Sequence, residues 1–449
     1  MRKLFGTDGI RGVAGQPPLD EPTVYAVGLA VAHSLRPLAI TPRVLVGRDT
    51  RESCGWILSM LAAGLRAGGA EIVSAGVLPT PAVAYLTRRD GFHAGVVISA
   101  SHNPWQDNGI KLFGNDGFKL PDEVELAIEE IIFRHAVGSA APALNTLPTV
   151  DDQPHYAAEY IDFLLSLVPG LRLDDRRIVV DCANGAAAAV APALFHALGG
   201  EVALLHTAPN GRNINDHCGA LHPQTVAAAV VERGAVLGIT LDGDADRCLL
   251  ADASGNVING DAILLLCARQ MQSRGLLTGN VVVATTMSNM GLEAALRRSG
   301  IQMLRAAVGD RYVLELMRRH DAALGGEQSG HILFPHLATT GDGLLTALVV
   351  LDVLSRSGRS LEDLTADLQV YPQVIVNVKV REKLPLDSFP AIQSAIAAAD
   401  SALRDSGRVV IRYSGTEALA RVMIEAVDEA AMRHHAEAIA AAIRAELGI

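Results

Sequence analysis

The chain repeats one structural plan three times, and this repeat limits the possible folds more than any other feature. In each copy an apolar strand leads into a polar turn, a helix, a glycine-bearing turn, a second strand and a third strand that ends in a polar loop. The copies span residues 44–104, 178–247 and 281–334. Such alternation of strands and helices predicts a mostly parallel sheet in each copy.

Each copy ends in a loop that is rich in chemically active side chains. The three loops read SASHNP (99–104), DGDADR (242–247) and GEQSGH (326–331). Right-handed crossovers should place the three final strands at equivalent positions, with their polar ends at the ligand-binding edge of each sheet. Alternation alone arises by chance in many α/β proteins, but polar clusters at all three ends favour a real repeat.

The last part of the chain follows a different pattern. Residues 371–380 and 408–427 alternate apolar and polar side chains, which is typical of half-exposed antiparallel strands. Residues 428–447 form an alanine-rich amphipathic stretch, which predicts a helix. With 449 residues the chain is too long for one core. We predict α/β domains at 1–151, 152–252 and 253–369 and a smaller α+β domain at 370–449.

Composition excludes some classes of function. The formal net charge is −11, which argues against nucleic acid as a partner but says little about a small anionic ligand. The first residues lack the apolar region of a signal peptide, and no apolar run approaches the length of a membrane span. Five scattered cysteines without a Cys-x-x-Cys pair indicate reduced thiols. We therefore expect a cytoplasmic protein with no membrane partner.

The strongest chemical signal is the placement of Asp242, Asp244 and Asp246 at alternate positions. In an extended segment alternate side chains share one face. Two carboxylates ~4 Å apart at an effective dielectric of ~20 repel by about 4 kcal/mol, and a hard cation such as Mg²⁺ removes that repulsion. Arg247 could meet a phosphate at the same place. The alternative is an exposed acidic turn, but the segment directly follows an apolar strand, which favours a metal site.

Ser101 occupies the position expected of a nucleophile or phosphate carrier. A serine hydrolase would need a Gly-x-Ser-x-Gly elbow, which is absent around Ser101. A serine that carries a phosphoryl group and faces Mg²⁺ fits the loop better, and a turn cap is the alternative. His102 and Lys111 could move protons or bind phosphate, with local hydrogen bonding or surface charge as their alternatives. Of the two, we favour Lys111 as the acid/base group.

Two further segments offer groups that suit phosphates and sugar hydroxyls. The segment RYSGTEALAR (412–421) joins two strands and places Arg412 and Arg421 around hydroxyls and backbone N–H groups, although it could be a simple hairpin turn. The GEQSGH loop offers Glu327, Ser329 and His331, although it could be a polar loop with structural glycines.

Two shorter motifs complete the candidate sites. Arg11 in GTDGIRG is a further potential phosphate contact. His217, Cys218 and His222 match no usual zinc spacing, so a zinc site is disfavoured.

Together these segments resemble the α-D-phosphohexomutase superfamily along essentially the whole chain. The markers are RKLFGTDGIRG, TPAVAYLT, SASHNPWQDNGIKLF, NINDHCG, LDGDADR, GGEQSGH and RYSGTE. The resemblance implies three similar α/β domains with mixed sheets and a smaller C-terminal domain around a central cleft. It also implies interconversion of hexose 6- and 1-phosphates. Gln328 resembles the residue that is usual at this position in the branch of the superfamily that acts on glucosamine phosphates. That branch supplies UDP-N-acetylglucosamine synthesis.

The resemblance also implies roles for individual residues. Ser101 would be a phosphoserine that completes a site for one Mg²⁺ with Asp242, Asp244 and Asp246. Glu327 and Ser329 would recognise the sugar. A distal phosphate clamp would contain Arg412, Ser414, Gly415, Thr416 and Arg421, and Arg11, His102, Lys111 and Arg247 would assist phosphoryl transfer. One departure is Ala418, where the family clamp usually has proline, which should loosen the loop slightly.

The expected partners are a sugar monophosphate, a glucosamine 1,6-bisphosphate intermediate, and either a kinase or a bisphosphate that primes Ser101. The sequence does not decide the oligomeric state, and a homodimer is one open arrangement. Three other functions remain as alternatives: a mutase for glucose or mannose phosphates, a Mg²⁺-dependent phosphatase and a non-catalytic sugar-phosphate sensor. The SGTE loop argues against a phosphatase. The presence of Ser101 with all three aspartates argues against a sensor.

Overall fold

The computed structural model describes residues 4–6, 8–136, 141–147, 149–174, 176–414 and 418–449. The chain forms two compact units. Unit 1 contains Met1–Thr285 and Leu304–Thr365, and unit 2 contains Thr286–Met303 and Ala366–Ile449. The four domain boundaries predicted from the sequence stay predictions.

The first copy of the repeat and the strands that flank it build a six-stranded sheet. Its strands are β1 (Phe5–Gly6), β2 (Gly9–Val13), β3 (Arg43–Arg48), β4 (Glu71–Val77), β5 (Ala94–Ile98) and β6 (Asp107–Gly114), in the order β1-β2-β6-β5-β3-β4. Strand β5 is parallel to β3, and β6 returns antiparallel to β5 after the Ser101 loop. All five residues of β5 are buried, which explains its continuous apolar sequence.

The second and third copies build smaller sheets on the same plan. The strands are β7 (Arg177–Asp181), β8 (Glu201–Leu205), β9 (Leu237–Leu241), β10 (Cys248–Asp252), β11 (Val257–Ile258), β12 (Val281–Thr285), β13 (Gln302–Ala306), β14 (Gly325–Gly326) and β15 (Ile332–Leu333). Their orders are β11-β10-β9-β7-β8 and β13-β12-β14-β15. Each polar loop again follows a strand parallel to the first strand of its copy, and the next strand returns antiparallel. The predicted equivalence of the three strand ends is confirmed, and the sheets are mixed.

Helices cover these sheets in unit 1. They are α1 (Glu21–Leu35), α2 (Cys54–Ala67), α3 (Thr80–Arg89), α4 (Asp122–Ala136), α5 (His155–Leu167), α6 (Ala191–Leu198), α7 (Pro223–Arg233), α8 (Gly260–Ser273), α10 (Asp310–His320), α11 (Gly343–Ser357) and α12 (Leu361–Thr365). The largest core packs α1, α2 and α4 against the first sheet. Smaller cores cover the second and third sheets.

Unit 2 is an α+β fold, as the alternating pattern predicts. Its sheet has the order β16 (Gln373–Lys379), β18 (Leu419–Ala426), β17 (Gly407–Tyr413), with both pairings antiparallel. Its helices are α9 (Met290–Arg298), α13 (Pro390–Leu403) and α14 (Glu429–Leu447). The side chain of Asp428 caps α14 by accepting bonds from Ala430 N and Ala431 N, so the predicted helix begins where the capping residue places it.

Across the described ranges, no helix combines the length and the apolarity needed to cross a membrane. All five cysteines fall within the described residues and are buried free thiols, which agrees with the predicted reduced state.

Helices α1 and α2 touch backbone to backbone, and two glycines make this contact possible. A Cβ atom on Gly64 would lie 2.1 Å from Tyr25 O, and one on Gly28 would lie 2.2 Å from Leu61 O. Both distances are far inside van der Waals contact, so any larger residue forces the helices apart.

We therefore predict that Gly64→Ala destabilises the protein by about 1–3 kcal/mol, because the added methyl group overpacks a backbone contact. Gly55→Ala in the same helix is the matched control, since a Cβ atom there meets nothing within 4 Å. Alanine has the higher helix propensity, so this control should be neutral or gain up to about 1 kcal/mol. Denaturant unfolding of both variants checks the prediction, and equal stabilities would contradict it.

Candidate active site

The three polar loops meet in unit 1. The Ser101 loop (99–104) contacts the aspartate loop (242–247), because Ser101 Oγ donates a 2.5 Å hydrogen bond to Asp242 Oδ2. The Glu327 loop (326–331) lies against the end of the aspartate loop, where Cys248 N donates to Gly330 O at 3.0 Å. The three loops that the repeat singles out therefore form one site.

Ser101 is held in a strained backbone conformation. Its φ angle is +54°, in the left-handed region that non-glycine residues rarely adopt, and its side chain is buried. Strain of this kind is concentrated at functional sites. His102 Nδ1 lies 3.2 Å from Ser101 Oγ. Burial, reinforced by Arg247 and Arg11, lowers the pKa of His102 to about 4, so this ring is neutral at pH 7.

The three aspartates form a cluster that suits a cation. They are buried, and one carboxylate oxygen from each lies within 4.8 Å of the others. Burial and the two neighbouring carboxylates raise the pKa of Asp242 well above its ordinary value. Asp244 Oδ1 and Asp246 Oδ1 are buried without a hydrogen-bond partner among the described residues. Buried, unsatisfied carboxylate oxygens are the donor set that a hard divalent cation prefers, so these residues fit Mg²⁺.

Lys111 neutralises part of this negative charge. Its ammonium group lies 2.7 Å from Asp244 Oδ2, 3.3 Å from Asp246 Oδ2 and 3.0 Å from Asp8 Oδ2. Burial alone would lower the pKa of Lys111, but these carboxylates raise it well above its ordinary value. The side chain is therefore a firmly held cation that can donate to phosphate oxygens, and its acid/base role stays a prediction.

Lys111 belongs to a closed ring of alternating charges. The ring runs through Asp246, His331, Asp310, Lys119, Asp8 and Lys111. His331 Nδ1 lies 3.6 Å from Asp246 Oδ1, and His331 Nε2 lies 3.3 Å from Asp310 Oδ2. Lys119 Nζ lies 2.6 Å from Asp310 and 2.5 Å from Asp8. Burial opposes a charge on His331, but Asp246 and Asp310 raise its pKa to about 10. Its predicted contact with a sugar hydroxyl stays a prediction.

Sequence reasoning missed three of these ring residues. Asp8 lies three residues before Arg11 in GTDGIRG and pairs with it, so that motif was the signal for Asp8. Asp310 begins α10 directly after the third repeat's second strand. Lys119 lies beyond the hairpin that follows Lys111, and nothing in its surrounding sequence marks it as part of the site.

The remaining predicted residues of unit 1 lie at the border of this cluster. Arg11 NH1 donates to Ala100 O at 3.3 Å. Arg247 N donates to Asp242 Oδ1 at 3.2 Å, and the Arg247 guanidinium lies 3.9 Å from Asp246. Glu327 Oε1 accepts from Gly309 N at 3.1 Å. Glu327 and Ser329 are partly exposed, which leaves them accessible to a ligand.

Unit 2 contains the predicted arginine pair. Arg412 and Arg421 are directly opposite each other on β17 and β18, and Asn377 is opposite Arg421 on β16. All three line a cavity of about 320 Å³. Burial and the neighbouring Arg421 lower the pKa of Arg412, as expected for two cations on opposed strands. Ser414 is buried, and Gly415 and Thr416 lie outside the described residues.

A second cluster of potential ligands is Asp181, His206 and Cys218, with ligand atoms within 4.8 Å of one another. The Asp181 carboxylate already accepts bonds from Ala183 N at 2.8 Å and Gly219 N at 3.0 Å, and it lies 2.9 Å from His206 Nδ1. Burial raises the pKa of Cys218 to about 12, which keeps the thiol protonated. We interpret this cluster as a structural anchor.

Comparison with known proteins identifies the class. Four family models for the phosphoglucomutase/phosphomannomutase family match in chain order. They are the alpha/beta/alpha domains I (residues 2–137), II (158–255) and III (259–371) and the C-terminal domain (375–442). The chain belongs to this family, which confirms the resemblance to phosphohexomutases.

Its curated relatives include the phosphoglucosamine mutase of Koribacter versatilis, 57% identical over all of this chain and 98% of the relative. The phosphoglucosamine mutase of Solibacter usitatus is 51% identical over all of this chain and 99% of the relative. A phosphoglucomutase/phosphomannomutase family protein from Burkholderia thailandensis has a similar structure, with a TM-score of 0.80, 25% identity and full coverage of both chains. Aspergillus fumigatus N-acetylphosphoglucosamine mutase, solved with GlcNAc-6P and magnesium, shares the fold at a TM-score of 0.67 and 20% identity over 99% of this chain and 96% of that chain.

The Asp181 anchor yields a prediction about pH. The hydrogen bond with Asp181 raises the pKa of His206 from its ordinary value of 6.5. The folded protein therefore binds this proton more tightly than the unfolded chain, so the stabilisation is complete below pH 6.5 and is lost as pH rises through the raised pKa. We expect His206→Gln to reduce the free energy of unfolding more at about pH 6 than at about pH 9.

Denaturant unfolding at the two pH values measures this difference. His217→Gln is the control, because the His217 side chain is 90% exposed and surface changes usually shift stability by less than about 0.5 kcal/mol. A loss in His206→Gln that does not depend on pH would contradict the prediction.

Proposed function

We propose that this protein is a phosphoglucosamine mutase that interconverts glucosamine 6-phosphate and glucosamine 1-phosphate. The single observation that carries the proposal is the contact of Ser101 Oγ with Asp242 in a buried cluster of three aspartates. That arrangement suits a serine that carries a phosphoryl group beside a cation. The relatives named phosphoglucosamine mutase, together with Gln328, favour an amino sugar as the substrate.

The proposed reaction moves one phosphoryl group out and another back. The free hydroxyl oxygen of the sugar monophosphate bonds to the phosphorus on Ser101 while the bond from phosphorus to Ser101 Oγ breaks, and the hydroxyl proton ends on Ser101 Oγ. The resulting glucosamine 1,6-bisphosphate turns end for end, and its other phosphate returns to Ser101. Phosphoryl transfer depends mainly on positioning and charge stabilisation, which the buried Lys111 and the partly buried Arg247 can supply.

The cofactor and partner assignments belong to the same proposal. Asp242, Asp244 and Asp246, with phosphorylated Ser101, would hold one Mg²⁺, which neutralises phosphate charge when it is bound. Glu327 and Ser329 would contact the sugar, and Arg412 and Arg421 would bind its distal phosphate. A kinase or a sugar bisphosphate would prime Ser101. A cytoplasmic location completes the proposal, and a homodimer stays one open arrangement.

A mutase for glucose or mannose phosphates is the second candidate, because it would use the same catalytic groups. The functional test is kcat/KM for glucosamine 1-phosphate, glucose 1-phosphate and mannose 1-phosphate, with Mg²⁺ and a bisphosphate primer present. We expect at least about a tenfold preference for the glucosamine ester, since one well-placed polar contact is worth about 1.4 kcal/mol. Equal or better rates with glucose or mannose phosphates would assign the chain to the general hexose branch.

The phosphoserine has its own test. Ser101→Ala should lower kcat by at least about 10³-fold, because it removes the atom that carries the phosphoryl group. Ser59→Ala is the control, since the Ser59 hydroxyl bonds only to Gly55 O within helix α2 among the contacts described. Circular dichroism should show both variants folded. Undiminished turnover in Ser101→Ala would rule out the phosphoserine.

A further inference from the structure

The strained backbone of Ser101 is fixed on both of its sides. Ser101 N donates to Ser99 Oγ at 2.9 Å, which orients the peptide plane that precedes the residue. Ser101 O accepts from Arg51 NH2 and from Asn215 Nδ2, each at 2.9 Å, which orients the plane that follows. Since φ and ψ are set by these two planes, the three hydrogen bonds fix the direction of the Ser101 Cα–Cβ bond. The bond to Asp242 Oδ2 then orients Oγ.

All five N–H groups of the Arg51 guanidinium donate to groups in and around the Ser101 loop. The side chain is fully buried, and its Nε donates to Asp49 Oδ2 at 2.8 Å. The other four N–H groups donate to backbone carbonyls of the loop: Ser101 O, Asn103 O and Asp107 O, each at 2.9 Å, and Pro104 O. All five donors of the fork are therefore satisfied by one loop and one carboxylate.

Asp49 ties the two sides together. Its Oδ2 accepts from Ser99 Oγ at 2.6 Å as well as from Arg51, and its own N–H donates to Ile98 O at 3.1 Å. A buried carboxylate at the end of β3 thus orders two of the three groups that hold Ser101, namely Ser99 and Arg51.

Asn215 reaches the same carbonyl from the second copy of the repeat. It lies in NINDHCG (213–219), a segment that the sequence analysis marks but to which the proposed reaction gives no role. Its side-chain amide also donates to Asn103 O at 3.1 Å. The aspartate loop packs tightly against the same carbonyl: a Cβ atom on Gly243 would lie 2.5 Å from Ser101 O. Asn215 therefore links the position of Ser101 to that of the aspartate loop.

We propose that Arg51 and Asn215 are positioning residues that hold Ser101 in its left-handed conformation, so that Oγ faces Asp242. The proposal rests on the proposed function, in which Ser101 carries the phosphoryl group. Neither side chain needs to touch the substrate. A displacement of about 1 Å of a reacting atom can cost about 10²-fold in rate, so loss of either hydrogen bond should lower turnover.

The experiment compares Asn215→Ala with Asn213→Ala, measuring kcat, KM and the thermal midpoint of each. Asn213 is the matched control, because its side-chain amide donates to Ala208 O at 3.0 Å and its Oδ1 accepts from Asn210 N at 2.9 Å, both within its own loop. We expect Asn215→Ala to lower kcat by about 10- to 100-fold while KM changes by less than about threefold. The control should retain wild-type kcat. The fraction of phosphorylated Ser101, measured by intact mass, normalises kcat in each case.

Arg51→Lys provides a second test of the proposal. It keeps a positive charge beside Asp49 but removes the guanidinium donors that bind the loop carbonyls. Since both residues bind the same carbonyl, the double variant should lose much less than the product of the two single effects. If Arg51→Lys does not fold, Asn215→Ala alone decides. Wild-type kcat in Asn215→Ala, or a loss that vanishes at temperatures where the variant is fully folded, would overturn the proposal.

The activity of Ser101→Ala distinguishes a failure of the proposed function from a failure of the positioning role. If Ser101→Ala keeps full mutase activity, the phosphoserine itself is wrong. If Ser101→Ala is inactive and Asn215→Ala is fully active, only the positioning role is wrong.

Discussion

The need to balance buried charge organises unit 1. Three aspartates lie side by side behind a strand whose residues are all buried, and isolated carboxylates there would be strongly unfavourable. Lys111, held between Asp244, Asp246 and Asp8, supplies the nearest compensation. The ring of charges then continues through Lys119, Asp310 and His331. Each carboxylate of the ring, namely Asp8, Asp246 and Asp310, therefore lies between two cations. Lys111 lies in β6 of the first sheet and Asp8 and Lys119 lie beside its strands, whereas Asp246, Asp310 and His331 lie in the second and third copies of the repeat. Charge balance therefore holds three parts of unit 1 together at one point.

The same site holds backbone strain at Ser101, the residue that is proposed to carry the phosphoryl group. Ser101 adopts a left-handed conformation that a serine does not choose alone, and buried hydrogen bonds from Arg51 and Asn215 impose it. These donors lose much if they are left unpaired in the interior, so they oppose relaxation of the loop. The same hydrogen bonds therefore stabilise the loop and orient the Ser101 side chain. A loop free in solvent could not hold a serine in this conformation.

Much of this arrangement can be predicted from the sequence, because its signals are local. Continuous apolar runs such as 94–98 mark strands buried on both faces. The spacing of Asp242, Asp244 and Asp246 directly after an apolar strand predicts a cation site. The roles of Lys119 and Asp310 could not be predicted. They come from distant segments whose own sequences carry no sign of the partner, and only folding brings their side chains to 2.6 Å.

The sequence by itself determined the three-fold repeat, the polar strand ends and the family, because periodicity and short motifs are properties of neighbouring residues. Only the tertiary structure decided which charges pair, that His331 is buried between two carboxylates, and that Ser101 is strained. Those outcomes depend on dehydration and on contacts between residues more than a hundred positions apart, such as Ser101 with Asp242. Neither quantity is encoded in any one stretch of chain, because both arise only when the strands have packed.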